Sequence, residues 1–353
     1  MEALFFGLML LWLLRQGTQF FVQRAIQHDH LEAALGWARA HTLLGPTRYS
    51  LVQWGNLLGD LQHWQRARQK FRWAHSLGYC PGALLGLGTA ELALAKIPED
   101  SESAHAYFTA LHPTLHLPPC DLGPEAPHLL QAQALTDQYH EQGWILLDDF
   151  LSPAAVQALH QWCQHTGLWR HHYRGYDGAH LDDGLSHPVI YRLAQRLIKT
   201  LPGIFEQHLL MYAWAFRYHH NHEGVALHHD SAHINVNLWL TPEACNLNPQ
   251  TGGLTLYPKS PPSAWDLERY TLSSEQMKQW VSDAKIQPVT IPYRQGRIAL
   301  FNSRFLHQTQ DFQFATEPSQ QRLNLTLLFG QHPLRYHPRH TLPERHFQRG
   351  LKF

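Results

Sequence analysis

The chain has 353 residues, 44% hydrophobic and 16% charged, with 28 lysines and arginines balancing 28 aspartates and glutamates. That length predicts two domains, and the apolar content suffices for substantial cores. Zero net charge and a pI near 7.5 leave no basic stripe to grip phosphates, so a nucleic-acid role is not expected.

Ala3 to Leu14 is an almost unbroken apolar run ended by Arg15. It is shorter than the roughly 20 residues that cross a bilayer. Met1-Glu2 carries no basic side chain ahead of it, and no small-x-small cleavage site follows closely. A buried first helix is therefore expected, with no membrane association. Ala33, Trp37 and Ala40 recur 34 residues later as Ala67, Phe71 and Ala74, and more loosely as Ala104, Phe108 and Leu111. Small and aromatic positions at that period resemble tetratricopeptide repeats, with Gly55 and Pro81 near their expected places. Residues 1–115 are read as a repeat domain whose groove takes a protein or peptide partner. Pro118, Pro119, Pro124 and Pro127 then predict an extended linker over residues 116–127.

A helix is expected from Leu129 to Glu141, a strand from Trp144 to Asp149, and helices over Pro153–Cys163 and Val189–Leu201. Met211–Tyr218 reads as a strand, followed by a polar turn from Asn221 to Gly224. Ile234, Val236, Leu238 and Leu240 alternate with Asn235, Asn237 and Trp239, the pattern of a half-buried strand. Gly296–Asn302 is a further strand with His307 just beyond it. On Arg322–Phe329, Leu323, Leu325 and Leu327 share one face while Arg322, Asn324 and Thr326 share the other. Residues 336–353 read as an irregular tail.

His228-His229-Asp230 lies ahead of the alternating strand, so His228 and Asp230 present an imidazole and a carboxylate two residues apart. With 28 His and 14 Asp, roughly one His-x-Asp arises by chance, and a second occurs at His180-x-Asp182 among glycines, where a loop is expected. Strand context favours His228-x-Asp230. With His307 it would form a two-histidine, one-carboxylate facial triad, the usual holder of non-haem Fe(II). An arginine on a pocket wall, Arg322, suits a carboxylate through charge-assisted hydrogen bonds.

In that order and on strands, His228-x-Asp230, His307 and Arg322 resemble the 2-oxoglutarate- and Fe(II)-dependent dioxygenase superfamily, in its prolyl-hydroxylase and phytanoyl-CoA-hydroxylase-like branches. Val236–Pro242, Asn248–Leu254, Ile291–Arg294, Phe301–Ser303 and Arg322–Gly330 extend the likeness to a bacterial group with repeats ahead of the oxygenase. The resemblance implies an α+β chain: helical repeats, then a double-stranded β-helix (jelly-roll or cupin-like) with flanking helices over residues 128–335. It implies Fe(II) on His228, Asp230 and His307, and 2-oxoglutarate held by Arg322 with Asn324, Asn237 and Tyr218 nearby. It also implies O2 as oxidant and hydroxylation of a C–H bond. Asp230 separates the chain from iron halogenases, which resemble it but have a small residue there. Relatives often carry Ser or Thr two residues after the arginine, where this chain has Asn324.

Blander readings remain open: Arg322 pairing with a structural carboxylate, Asn324 and Asn237 serving barrel backbone groups, and Tyr218 and Trp239 serving packing. Cys80, Cys120, Cys163 and Cys245 are widely spaced, as in a cytoplasmic chain with reduced thiols. Alternatives to a protein hydroxylase are a non-catalytic repeat scaffold on a degenerate oxygenase fold, a small-molecule oxygenase, and a metal-dependent isomerase or sugar-modifying enzyme on a similar barrel.

Overall fold

The computed structural model describes residues 2–27, 30–78, 80–94, 120–123, 131–165, 168–169, 171–173, 175–181, 185, 187–205, 208–219, 225–230, 232–261 and 274–330. Two compact units emerge, one within Met1–Lys96 and one within Ile97–His332.

The first unit is helical: α1 (Glu2–Gln27), α2 (Leu31–Leu43), α3 (Arg48–Asp60), α4 (Trp64–Ser76) and α5 (Pro81–Ala93). Thr47 and Ser50 form a reciprocal capping box at the start of α3. Pro81 opens α5, where its missing N–H costs nothing. α2 and α4 start 33 residues apart, as do α3 and α5. The repeat register is thus one residue shorter than the sequence suggests. Buried Ala34, Ala38 and His41 match Ala67, Phe71 and Ala74, while Trp37 stays 39% exposed. The Phe71 ring is flanked by two glycines: a Cβ on Gly55 of α3 or Gly86 of α5 would come within 2.5 Å of it. Ala104, Phe108 and Leu111 lie outside the described residues. The first helix forms, but Met9 to Leu14 of its apolar run are not buried: each is 40–59% exposed, while Val22 in the C-terminal half meets Ala34, Ala38 and Leu57. No described helix is long and apolar enough to cross a membrane.

The second unit has two antiparallel sheets. Its strands are β1 (Trp144–Leu147), β2 (His171–Tyr173), β3 (Tyr176–His180), β4 (Leu210–Tyr218), β5 (Ile234–Trp239), β6 (Leu254–Tyr257), β7 (Val289–Ile291), β8 (Ile298–Asn302), β9 (Leu306–Thr309) and β10 (Leu323–Phe329). The larger sheet runs β1-β8-β5-β10-β4-β3-β2 and the smaller β7-β6-β9. Helices α6 (Ala132–Gln142), α7 (Pro153–Trp162), α8 (Pro188–Thr200), α9 (Pro202–Phe205) and α10 (Ser274–Asp283) accompany them. Phe205 of α9 packs edge-on against Phe329 of β10, with ring centroids 4.6 Å apart. The core between the sheets joins Tyr176, Trp214, Phe216, Trp239 and Phe301 to Leu254, Leu256 and Ile291. Helices with two antiparallel sheets are the mixed class that the resemblance implied for this region.

Three expectations change. β5 is buried on both faces: Asn235, Asn237 and Trp239 on its polar side are buried like Ile234, Val236 and Leu238 on the other, and β8 and β10 pair with its edges. His180 ends β3 and is 5% exposed, so it is not in a loop; Asp182 lies outside the described residues. Within the proline-rich stretch, Cys120 and Leu122 are buried, and Arg196 of α8 donates to the Leu122 and Gly123 carbonyls. The other linker residues, the tail beyond Gly330 and the 115/116 boundary fall outside the described residues.

Candidate metal centre

His228, Asp230 and His307 come together. One ligand atom from each lies within 4.8 Å of the others. The backbone brings them there. His228 and His307 form an antiparallel bridge, and Thr309 N donates to the Val225 carbonyl one step along. Asp230 N donates to the Ser303 carbonyl, and the Ser303 hydroxyl donates back to the Asp230 carbonyl at 3.0 Å. The turn between β8 and β9 thus clamps the carboxylate-bearing residue beside the β9 histidine.

The tautomers follow from the second ring nitrogens. His228 Nδ1 lies 2.7 Å from the Ala226 carbonyl, and His307 Nδ1 lies 3.1 Å from that of Phe305. A carbonyl only accepts, so each Nδ1 carries the proton and each Nε2 keeps its lone pair. Those Nε2 atoms flank Asp230: His228 Nε2 is 3.8 Å from Oδ1 and His307 Nε2 is 3.4 Å from Oδ2. Burial pushes His228 down to about 4, helped by the neighbouring His307 charge. Burial alone would raise Asp230, but the surrounding imidazoles of His307, His228 and His229 outweigh it and hold the carboxyl below its usual range. Neutral imidazoles and an ionised carboxylate are the forms that bind a metal.

The triad opens into a cavity of about 350 Å³, counting space continuous with solvent. Arg322, Asn324, Asn237 and Tyr218 all line it, so every site residue expected from sequence is in one place. Strand register explains this: Asn324 faces Phe216 on β4 and Trp239 on β5, and Thr326 faces Trp214 and Asn237. Arg322 is 1% exposed. Its Nε donates to the Gly252 carbonyl at 2.9 Å, and its guanidinium lies about 5 Å from the Tyr218 and Phe312 rings. No described carboxylate pairs with it, which removes the structural ion-pair reading. Burial pushes the Tyr218 hydroxyl up to about 12 despite the adjacent Arg322 cation, so it stays a neutral donor.

Asn237 Nδ2 and Asn324 Nδ2 both donate to Thr326 Oγ1, at 3.2 and 3.1 Å, so these amides serve a hydroxyl and not the barrel backbone. Asn237 Oδ1 is buried without a partner among the described residues. Trp239 is fully buried and packs on Tyr293, as expected for a packing residue. Sequence reasoning did not assign Trp214, Phe216, Val225, Leu254, Thr309 or Thr326 to the site. Thr326 was within reach, since it follows Asn324 at the strand period.

The donor set fits a divalent ion beside a carboxylate ligand: free Nε2 lone pairs, a buried cation lacking an anion, and an unsatisfied amide oxygen. The chain resembles 2-oxoglutarate-dependent non-haem oxygenases of known structure. The non-heme α-ketoglutarate-dependent epimerase SnoN from nogalamycin biosynthesis shares 16% identity over 57% of this chain and 84% of its own, at a TM-score of 0.43. A Pseudomonas putida prolyl-4-hydroxylase shares 17% over 57% and 99%, at 0.40. HygX from Streptomyces hygroscopicus, solved with nickel, 2-oxoglutarate and hygromycin B, shares 14% over 56% and 85%, at 0.39. At these TM-scores they stand as likenesses only, and the geometry of the site carries the functional conclusion. No protein-family model matches the sequence, and no curated protein matches it.

Proposed function

We propose that this chain is an Fe(II)- and 2-oxoglutarate-dependent oxygenase that hydroxylates a C–H bond. One observation carries the reading: a preformed two-histidine, one-carboxylate triad and a buried arginine without a carboxylate partner share one cavity. When bound, iron would activate O2 as the oxidant, with two of its four electrons drawn from 2-oxoglutarate, which leaves as succinate and CO2, and two from the substrate C–H bond. The chain's residues hold and orient. Nε2 of His228, Nε2 of His307 and the Asp230 carboxylate would hold the metal. Arg322 would take the distal carboxylate of 2-oxoglutarate, since a buried guanidinium needs an anion. Thr326 Oγ1 already accepts two amide N–H groups, so its own hydrogen is left to donate to the same carboxylate. This gives the hydroxyl donor that Asn324 does not supply. Trp214, Phe216, Val225 and Leu254 form the apolar wall that keeps water from the reacting groups.

The substrate in this reading is a protein or peptide recruited by the helical unit. Its support is the recurrence of the α2–α3 pair as α4–α5, a pattern that stacks into concave surfaces. A cytoplasmic setting belongs with it, since Cys80, Cys120, Cys163 and Cys245 are free thiols. The test is succinate release from 2-oxoglutarate with added Fe(II), in wild type and Asp230→Ala. Turnover that disappears in the variant is expected; equal turnover in both would overturn the assignment. Hydroxylation of a free small molecule with no polypeptide captured by the full chain would overturn the substrate class alone.

A further inference from the structure

We infer that Asn235 is a positioning residue that keeps the Asp230 carboxylate monodentate toward the metal. The inference rests on the metal-centre reading above. Asn235 is fully buried near the start of β5, opposite Phe301 of β8 and Leu328 of β10. Its Nδ2 donates to Asp230 Oδ2 across a very short contact. An ionised carboxylate only accepts, so the amide must present its NH2 side; the flipped amide would set its carbonyl oxygen against the carboxylate. The consequence is visible at the other end of the side chain. Asn235 Oδ1 is buried with no partner among the described residues. A buried amide oxygen left unsatisfied is costly, and an apolar residue of the same size would fill this strand position without that cost. The donor toward Asp230 therefore outweighs the orphaned acceptor.

The chemistry of the ligand explains why. Asp230 Oδ2 is occupied by Asn235, while Oδ1 has no hydrogen bond among the described residues. One carboxylate oxygen is thus held back and one is free to ligate. A carboxylate binding through both oxygens would take a further coordination position, and an open-sited triad needs those positions for cosubstrate and oxidant. Outer partners of this kind orient a ligand as well as tune it.

The test uses the full chain with Co(II) as the metal alone, followed by calorimetry and by its visible ligand-field bands, which report coordination number. Wild type should bind one Co(II), and Asp230→Ala should not. Asn235→Leu should weaken Co(II) binding about 10–100-fold and change the bands, while the metal-free protein still unfolds cooperatively. If that variant does not fold, Asn235→Ala is measured the same way. A folded variant with wild-type affinity and unchanged bands overturns the inference while leaving the metal centre intact. Wild type that binds no Co(II) overturns both.

Discussion

His228 and His307 exchange both backbone hydrogen bonds, at 3.0 and 2.8 Å, so the two imidazole ligands belong to one antiparallel pair although they are remote in the chain. The pairing does not depend on either imidazole. Truncating a ring should therefore remove a metal ligand without removing the strand contact that positions the other. We expect His228→Ala and His307→Ala to lower Fe(II) affinity by more than the roughly 100-fold that outer-shell changes reach. Near-wild-type far-UV dichroism should accompany the loss. Anaerobic calorimetry checks the first and dichroism the second; retained affinity in either variant would remove that histidine from the ligand set.

Arg322→Met should act on the cosubstrate and spare the metal. A hydrogen bond to a charged group contributes about 1.5–3 kcal/mol, which corresponds to roughly 10–150-fold in 2-oxoglutarate requirement. Iron stoichiometry should stay at one. The guanidinium is buried without a carboxylate partner, so its removal should not lower the unfolding midpoint of the ligand-free protein. Steady-state kinetics and thermal melts measure these separately. A large loss of iron in this variant would mean that Arg322 supports the triad.

Gly252 and Gly253 have different physical reasons to be glycine. Gly252 sits at φ +94°, and from that turn its carbonyl accepts from Arg322. Gly253 must lack a side chain because a Cβ there would lie 1.9 Å from the Ile291 carbonyl oxygen on β7. Gly253→Ala should cost about 1–3 kcal/mol, as overpacking does, and should loosen the β6–β7 pairing. Urea unfolding tests the magnitude, and unchanged stability would contradict the close approach.

Acid should weaken the metal-free protein in a defined window. His228 is pushed down to about 4 by burial, against an ordinary imidazole value of 6.5. Between those values the unfolded chain binds more protons than the folded one, so stability rises with pH. The contribution is complete above about 6.5 and lost as pH falls toward 4. His41, His160 and His229 are lowered by burial in the same direction. The urea midpoint, measured with chelator, should fall from pH 7 to pH 5, and His228→Gln should flatten part of that slope. A midpoint constant across the range would show that His228 is not held neutral by the fold.

Much of the site was legible because strands repeat every two residues. Asn324 and Thr326 fall on one side of β10 by that rule, with Arg322 just ahead of the strand, whereas His228 and Asp230 lie outside the strands, His228 at an isolated bridge to His307. The same rule misjudged β5, since alternation cannot distinguish a polar face turned to water from one turned to a polar cavity. The 34-residue spacing aligned alanines and aromatics, yet burial follows a 33-residue register. Trp37 matched Phe71 in chemistry while Ala38 matches it in position. The apolar run of α1 reads like a core helix, and only packing reveals that Met9 to Leu14 stay exposed.

The sequence by itself determined residue chemistry and local periodicity: which side chains can ligate a metal, and which residues of a strand such as β10 share a face. Tertiary structure alone decided convergence. The register of β10 against β4 and β5 brought Trp214, Phe216 and Asn237 around Thr326. The β8–β9 turn set Asp230 beside His307, and the β5 interior placed Asn235 beneath that carboxylate. Local patterns report neighbours along a strand. Long-range strand pairing and the burial of unsatisfied polar atoms depend on the whole core closing at once, so no short stretch of residues carries them.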